Sequence, residues 1–243
     1  VLAIYQQLRQ AGYTDDRIIL IVEDDIADNV SNPNKGVIQV TIGGNNVYEN
    51  VEIDYRMSSL KAKDILAILN GEKSESLPTV IESTENDNLF VFWSGHGVPG
   101  AMCWDEEPYA MTGDDLSTVF KDMNLKRRYR KLLMMVEACF SGGVMEQCEG
   151  IPGMLFITAA NGDETSKADV FNGEMKVWMS NRFTSTFIEQ ITDNKDVAMR
   201  DLYYRLFINT VGSHVMVYNA ENYGNLYSAN MSEFINFKND KSK

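Results

Sequence analysis

Two side chains with the chemistry of a nucleophile and a base, Cys139 and His96, each stand just after an apolar run of residues. Cys139 follows Leu132–Val136, and His96 follows Leu89–Trp93. The thiolate is the reactive form of cysteine, and a neighbouring imidazole can remove the thiol proton or lower the thiol pKa. If the fold brings the two side chains together, they could attack a carbonyl carbon and form a thioester.

Small residues surround both side chains. Gly95 and Gly97 flank His96, and Ser-Gly-Gly follows Cys139 after one phenylalanine. Glycines leave room for a substrate backbone, and the backbone N–H groups of Cys139 and Gly97 could bind the oxyanion that forms after attack. Cys139 comes 43 residues after His96, close to the roughly 50 residues that separate these residue types in caspases. A cysteine at the end of an apolar strand is by itself more often a small buried side chain, so the hypothesis depends on the pair.

The remaining cysteines and the second histidine lack this setting. We expect Cys103 and Cys148 to be inert. His214 is the other histidine, and its apolar surroundings are typical of a strand, which favours a structural role. Because the chain has two histidines and no Cys-x-x-Cys pair, the sequence predicts no metal site, and nothing in it indicates a cofactor.

The overall charge limits the class of partner. A formal net charge of −13 and a pI of about 4.6 argue against nucleic-acid binding, which selects basic surfaces. No apolar run approaches the roughly 18 residues of a membrane-spanning helix. The acidic composition fits a secreted, periplasmic or acidic-compartment protein, and also many cytosolic proteins. A targeting segment would lie upstream of this chain.

Apolar runs of strand length alternate with segments of helical periodicity. The predicted strands are Arg17–Val22, Leu89–Trp93, Leu132–Val136, Met154–Thr158 and Ser213–Tyr218. The predicted helices are Val1–Gly12, Ser59–Leu69, a helix from a capping box at Thr112 to about Met123, and residues 181–191 and 196–210. Residues 28–50 indicate a long loop with room for one hairpin. The alternation predicts an α/β fold with a mostly parallel sheet and helices on both faces.

Both candidate side chains take a consistent place in this fold, because α/β sheets form their sites at the carboxyl ends of the strands. The first predicted helix begins at Val1, and a strand normally precedes such a helix. We therefore expect a single domain over residues 1–243 whose first strand lies upstream of Val1. That strand would belong to a separate N-terminal peptide of the same precursor, made by self-cleavage before Val1, and would pair beside Ile18–Val22.

Several motifs together resemble the legumain family of asparaginyl endopeptidases. They are Gly95-His96-Gly97, Glu137-Ala138-Cys139, Thr158-Ala159-Ala160-Asn161 with Glu164 and Ser166, Ser213-His214-Val215-Met216, Asp24-Asp25-Ile26-Ala27, Asn32-Pro33 with Gly36, Asp54-Tyr55, and Arg128-Tyr129-Arg130-Lys131. The resemblance runs in register from Val1 to about Lys238. It implies a caspase-like three-layer α/β/α sandwich, with His96 and Cys139 as the dyad. It also implies Gly97 in the oxyanion hole and hydrolysis after asparagine, with aspartate second.

The resemblance also implies which residues bind the substrate. Glu137 matches one acidic wall of the specificity pocket. Thr165 and Ser166 match a pair of serines, and Asn181 aligns with the pocket aspartate. The pocket arginine and the asparagine that orients the histidine would lie upstream of this chain. The chain departs from the family at Gly95, where legumain has an aspartate, and we expect a compact form without the helical C-terminal prodomain.

The expected partners are peptide or protein substrates and the N-terminal peptide. The sequence does not decide between a monomer and a homo-oligomer. A second function of another class is the catalytic subunit of a transamidase or peptide ligase complex, in which an amine resolves the thioester. A third is an interaction module without activity, against which the intact His96 and Cys139 argue. An assay on an asparagine-containing peptide separates the three. An endopeptidase turns the peptide over alone, a transamidase does so only with a partner and an amine, and an inactive module does not turn it over.

Overall fold

The computed structural model describes residues 1–104 and 107–237, with the backbone alone for 107–110. Residues 238–243, at the end of the expected domain, lie outside the described residues. The strands are β1 (Ile21–Val22), β2 (Tyr55–Arg56), β3 (Asn88–Ser94), β4 (Gly97–Val98), β5 (Ala101–Trp104), β6 (Glu107–Thr112), β7 (Lys131–Glu137), β8 (Met154–Thr158), β9 (Ala168–Asn172), β10 (Val177–Asn181) and β11 (Met216–Tyr218). The helices are α1 (Leu2–Gln10), α2 (Ala62–Asn70), α3 (Gly113–Leu125), α4 (Ser141–Met145), α5 (Arg182–Asp193), α6 (Met199–Asn209) and α7 (Ala220–Tyr223).

A four-stranded sheet at the centre of the molecule has the order β11-β8-β7-β3. β3, β7 and β8 run parallel, while β11 is antiparallel to β8. Six of the seven residues of β7 are buried, since both faces of this strand are covered. A strand in that position is expected to be a continuous apolar run. The prediction of an α/β fold with a mostly parallel sheet is confirmed.

Alternate side chains of β7 enter two separate cores, as the two-residue period of a strand requires. Leu132 and Met134 pack with α2 and α3, whereas Leu133 and Met135 pack with α1, α5 and α6. Each of these buried side chains stabilises the fold by about 1.5–3 kcal/mol. Helices therefore cover both faces of the sheet, which gives the expected three-layer α/β/α arrangement.

The helices begin and end close to the predicted residues. At the start of α3, the Thr112 hydroxyl accepts the N–H of Asp115 at 3.2 Å, and the Asp115 carboxylate accepts the N–H of Thr112 at 3.0 Å. This pair of bonds is the predicted capping box. α2 ends at Gly71, whose φ of 69° is the left-handed conformation that glycine adopts readily.

Two expectations for the first 60 residues are corrected. β1 is shorter than the predicted strand, because a 3-10 turn takes up Asp15–Arg17 and only two residues pair with β2. The possible hairpin in residues 28–50 is not found among the described residues. Instead, the side-chain amide of Asn32 donates to the carbonyls of Ala27 and Val37 at 3.1 and 3.0 Å. Side chain–backbone bonds thus hold this loop in place of strand pairing.

A groove of about 980 Å³ is lined by both β3 and Ile18–Ile21. β3 is the edge strand of the central sheet, and all seven of its residues are only partly buried, although the strand is as apolar as β7. The indole Nε1 of Trp93 on this strand is buried without a hydrogen-bond partner among the described residues. The edge of the sheet beside the groove is therefore incompletely covered.

Candidate active site

The register between β3 and β7 brings the two candidate residues to the same end of the sheet, where both strands have their carboxyl ends. The paired residues run from Asn88 opposite Lys131 to Ser94 opposite Glu137. The N–H of Gly95 then donates to the carbonyl of Glu137 at 3.1 Å. His96 and Cys139 each follow their last paired residue by two positions, so the loops that carry them leave neighbouring strands side by side.

Gly97 touches the backbone of the loop that carries Cys139. A β-carbon built at Gly97 would lie 2.1 Å from the carbonyl oxygen of Cys139. Backbone N–H groups of Gly97 and Cys139 are the predicted oxyanion donors, and the contact brings these two segments against each other. No side chain fits at position 97 without separating the two loops.

A sharp turn follows Cys139. Phe140 has φ 55° and ψ 17°, a left-handed conformation that is costly for a residue with a β-carbon. The next residues form α4, and the N–H of Gly142 donates to the carbonyl of Ala160 at 3.1 Å. A β-carbon at Gly142 would lie 2.8 Å from the carbonyl carbon of Asn161, so this glycine allows the close packing of α4 against the loop after β8.

His96 and Cys139 lie on loops that leave neighbouring strands, and no hydrogen bond joins the imidazole to the thiol in the part of the chain that the structure describes. Cys139 is half-buried and His96 is exposed. The backbone of His96 is fixed, since its carbonyl accepts the N–H of Cys103 at 3.0 Å. The hydroxyl of Ser166 lies 3.9 Å from the sulfur of Cys139, within the reach of a weak hydrogen bond. Catalytic hydrogen bonds are often long before substrate binds, so the dyad stays a prediction supported by the position of its two strands.

Glu137 is a buried carboxylic acid at the carboxyl end of β7, with an exposed fraction of 1%. Its Oε2 accepts the N–H of Thr184 at 3.0 Å and the hydroxyl of Thr184 at 3.1 Å. Its Oε1 is buried without a hydrogen-bond partner among the described residues. Burial raises the pKa of Glu137 to about 7, against the opposite effect of the bonds from Thr184 and of the nearby Ser166 hydroxyl.

The other predicted substrate-binding residues take different places. Ser166 is near both Cys139 and Glu137, because its hydroxyl lies 3.9 Å from the Cys139 sulfur and also lowers the pKa of Glu137. Thr165 is exposed, and its hydroxyl accepts from the ammonium of Lys167 at 2.8 Å. Asn181 ends β10 and precedes α5, and its side chain makes no capping bond.

Thr184 is the site residue that the sequence reasoning missed. It lies in the first turn of α5, a helix whose start was predicted near residue 181. A threonine within the first turn of a helix gives no signal of its own for a site. Its bond to Glu137 depends on the packing of α5 against the sheet, which no local pattern contains.

The sequence model of the Peptidase C13 family matches residues 1–234. The chain belongs to the Peptidase C13 family. It is similar to the legumain of Rattus norvegicus, with 29% identity over 221 residues that cover 88% of this chain and 50% of the relative. It is also similar to the vacuolar-processing enzyme of Vicia sativa, with 36% identity over 168 residues that cover 67% of this chain and 34% of the relative. The chain thus spans half the length of these curated relatives or less.

The motifs of the sequence indicated a relationship to legumain, and the comparisons confirm it. None of the helices in the described residues is long and apolar enough to cross a bilayer. Of the predicted site residues, His96 and Gly97 follow β3, Glu137 ends β7 and Cys139 follows it. Gly97 contacts the Cys139 backbone, and the Ser166 hydroxyl lies 3.9 Å from the Cys139 sulfur.

Proposed function

We propose that this chain is the catalytic domain of a cysteine endopeptidase that hydrolyses peptide bonds after asparagine, and more slowly after aspartate. The observation that carries the proposal is the register of β3 and β7, whose last pair is Ser94 and Glu137. His96 and Cys139 both stand two residues beyond that pair. Membership of the Peptidase C13 family supports the same class of reaction.

In the proposed reaction, the imidazole of His96 takes the thiol proton and the sulfur of Cys139 attacks the substrate carbonyl carbon. The negative oxygen that results is bound by the backbone N–H groups of Cys139 and Gly97. The imidazolium then gives its proton to the leaving amine, the C–N bond breaks, and a thioester remains. A water molecule that loses a proton to the same imidazole attacks the thioester, releases the acid product and restores the thiol.

The unpartnered oxygen of Glu137 supports the preference for asparagine. A carboxamide has two N–H donors, and Glu137 Oε1 is a buried acceptor without a partner among the described residues. Pairing such an oxygen with a substrate donor removes the cost of leaving it unsatisfied. A Glu137 side chain with a pKa of about 7 is largely protonated in acid and can then donate to an aspartate oxygen. Thr165 and Asn181 are proposed to form the rim of this pocket.

The test is turnover of fluorogenic peptides that differ only in the residue before the scissile bond. We expect the full-length protein to prefer asparagine, to accept aspartate weakly, and to reject lysine and arginine. Cys139→Ala should abolish turnover. Cys103→Ala, which alters another half-buried cysteine, is the matched control. A library that peaks at arginine would overturn the specificity, and turnover only with a partner and an added amine would favour a transamidase.

We infer that the groove beside β3 receives an extended strand from an N-terminal peptide of the same precursor. A strand in that place would cover the partly exposed side chains of β3 and pair its free edge. By resemblance to legumain, that segment would carry the residues that orient His96 and complete the pocket. Intact-mass analysis of active, denatured protein is the test. An active sample in which residues 1–243 are the sole polypeptide would contradict the inference.

We also infer that the protein acts in an acidic compartment. The relatives named vacuolar-processing enzymes and the net charge of −13 support this location. Imaging of the tagged full-length protein, with a marker dye for acidic compartments, tests it, and a purely cytosolic signal would contradict it.

A further inference from the structure

Glu164 joins three segments of the chain beside the proposed nucleophile. Its Oε1 accepts the backbone N–H of His214 at 2.7 Å and that of Asn161 at 3.2 Å. Its Oε2 lies 2.9 Å from Nδ1 of His214. The backbone carbonyl of Glu164 accepts the N–H of Phe140 at 2.8 Å. One residue therefore connects the loop after β8, the segment before β11 and the turn that follows Cys139.

The bond to Phe140 bears directly on the thiol. The N–H of Phe140 and the carbonyl of Cys139 belong to the same peptide unit, so the Glu164 carbonyl fixes the plane of that unit. On its other side, the Cys139 carbonyl touches Gly97. Phe140 is also in the left-handed conformation, which persists only where surrounding contacts enforce it. Release of Glu164 would let this peptide unit rotate and carry the Cys139 side chain with it.

A second contact leads from Glu164 to the sulfur. Ser166 lies two residues after Glu164, and its hydroxyl is 3.9 Å from the sulfur of Cys139. The carboxylate of Glu164 is thus the anchor of a segment that contacts the nucleophile through both the backbone and a side chain.

His214 contacts the Glu164 carboxylate through both its backbone N–H and its imidazole. It lies before β11 and is exposed, where the sequence had indicated a position within a strand. Burial raises the pKa of Glu164, but the hydrogen bonds from His214 and Asn161 have the opposite effect and leave the pKa below its ordinary value. These bonds therefore favour the ionised carboxylate.

We propose that Glu164 is a positioning residue for Cys139 and that His214 holds the Glu164 carboxylate in place. The inference rests on the proposed peptidase function, in which Cys139 is the nucleophile. Misplacement of a reacting group by about 1 Å can lower the rate about 100-fold. The expected effect of losing Glu164 is accordingly on kcat, because neither Glu164 nor His214 needs to touch the substrate.

The experiment compares Glu164→Ala, Glu164→Gln and His214→Ala with a matched control in the full-length protein. The control is Glu149→Ala, since the Glu149 carboxylate accepts the N–H of Asn219 at 3.3 Å just beyond the other end of β11. Two quantities are measured for each variant. One is kcat and KM on a peptide with asparagine before the scissile bond, and the other is the rate of Cys139 alkylation by iodoacetamide, followed by peptide mass.

We expect Glu164→Ala to lower kcat by about 30- to 100-fold, with KM changed less than about threefold and a different alkylation rate. Glu164→Gln should recover most of kcat, because its amide oxygen can still accept both backbone N–H groups. His214→Ala should lie between the two, and Glu149→Ala should match the wild type.

Two results would overturn the inference. The first is that Glu164→Ala has the same kcat and alkylation rate as Glu149→Ala while Cys139→Ala is inactive. That result would leave the proposed function intact. If Glu164→Ala does not fold, the second result decides. It is that His214→Ala has the kcat and the Cys139 alkylation rate of the wild type. Full turnover by Cys139→Ala would instead refute the proposed function, and the alkylation rates would still report whether Glu164 positions the thiol.

Discussion

Replacing Gly97 with alanine tests the closeness of the two loops that carry His96 and Cys139. The added β-carbon would lie 2.1 Å from the carbonyl oxygen of Cys139. Carbon–oxygen contacts in proteins begin at about 3.3 Å, so the loops must separate by about 1 Å. Movement of this size can lower kcat by about 100-fold, and overpacking of this kind costs about 1–3 kcal/mol of stability.

Gly95→Ala is the matched control for this substitution. A β-carbon at Gly95 meets its nearest neighbour, Nε1 of Trp93, at 3.4 Å, which is an ordinary contact. The control also keeps the N–H that bonds to Glu137. The assay is kcat on a peptide with asparagine before the scissile bond, alongside the melting temperature. If Gly97→Ala kept a kcat within about twofold of the wild type, the two loops would not need the observed contact for catalysis, and the reasoning would be refuted.

Three further predictions concern the dyad and the buried acid. Cys139→Ala should abolish turnover and change stability by only about 1 kcal/mol, which thermal melting beside Cys103→Ala checks. His96→Ala should lower kcat about as much as Cys139→Ala and far more than His214→Ala, and the double mutant should be barely worse than either single mutant; an essential His214 with a dispensable His96 would contradict this. The folded-state pKa of Glu137 is raised from 4.5 to about 7. Between those values the folded state binds a proton that the unfolded state has lost, so stability should fall as pH rises through this window. Glu137→Gln should flatten that part of a melting profile, and an unchanged profile would speak against the raised pKa.

The central strands and most helices could be predicted from the sequence because their signals are local. β7 and β8 are continuous apolar runs bounded by polar or small residues, and α3 begins at a capping box that needs only four residues. The positions of His96 and Cys139 after strand ends followed from the same signals. These features require no knowledge of which segments meet.

The remaining features depend on contacts between distant segments. The antiparallel sheet β4-β5-β6 and the hairpin β9–β10 were not predicted, because all their strands are short and those of the hairpin mix apolar with polar residues. Thr184 and Glu137 are 47 residues apart, and their bond forms only once α5 packs on the sheet. Glu164 and His214 are 50 residues apart and could be matched to family motifs, but not to each other.

The parallel register between β3 and β7 also determines which insertions and deletions this protein can tolerate. A change of one residue within either strand would shift the loop that carries His96 or Cys139 by about 3.3 Å along the sheet and turn its side chains to the other face. The connection between the strands can change length only at exposed turns, such as residues 126–127 after α3, because α3 itself is packed in the core. Descendants of such a chain can therefore vary the number of residues between His96 and Cys139 while keeping both side chains where they are. Screens of insertions should find the exposed turn at residues 126–127 permissive, and both the two strands and α3 intolerant.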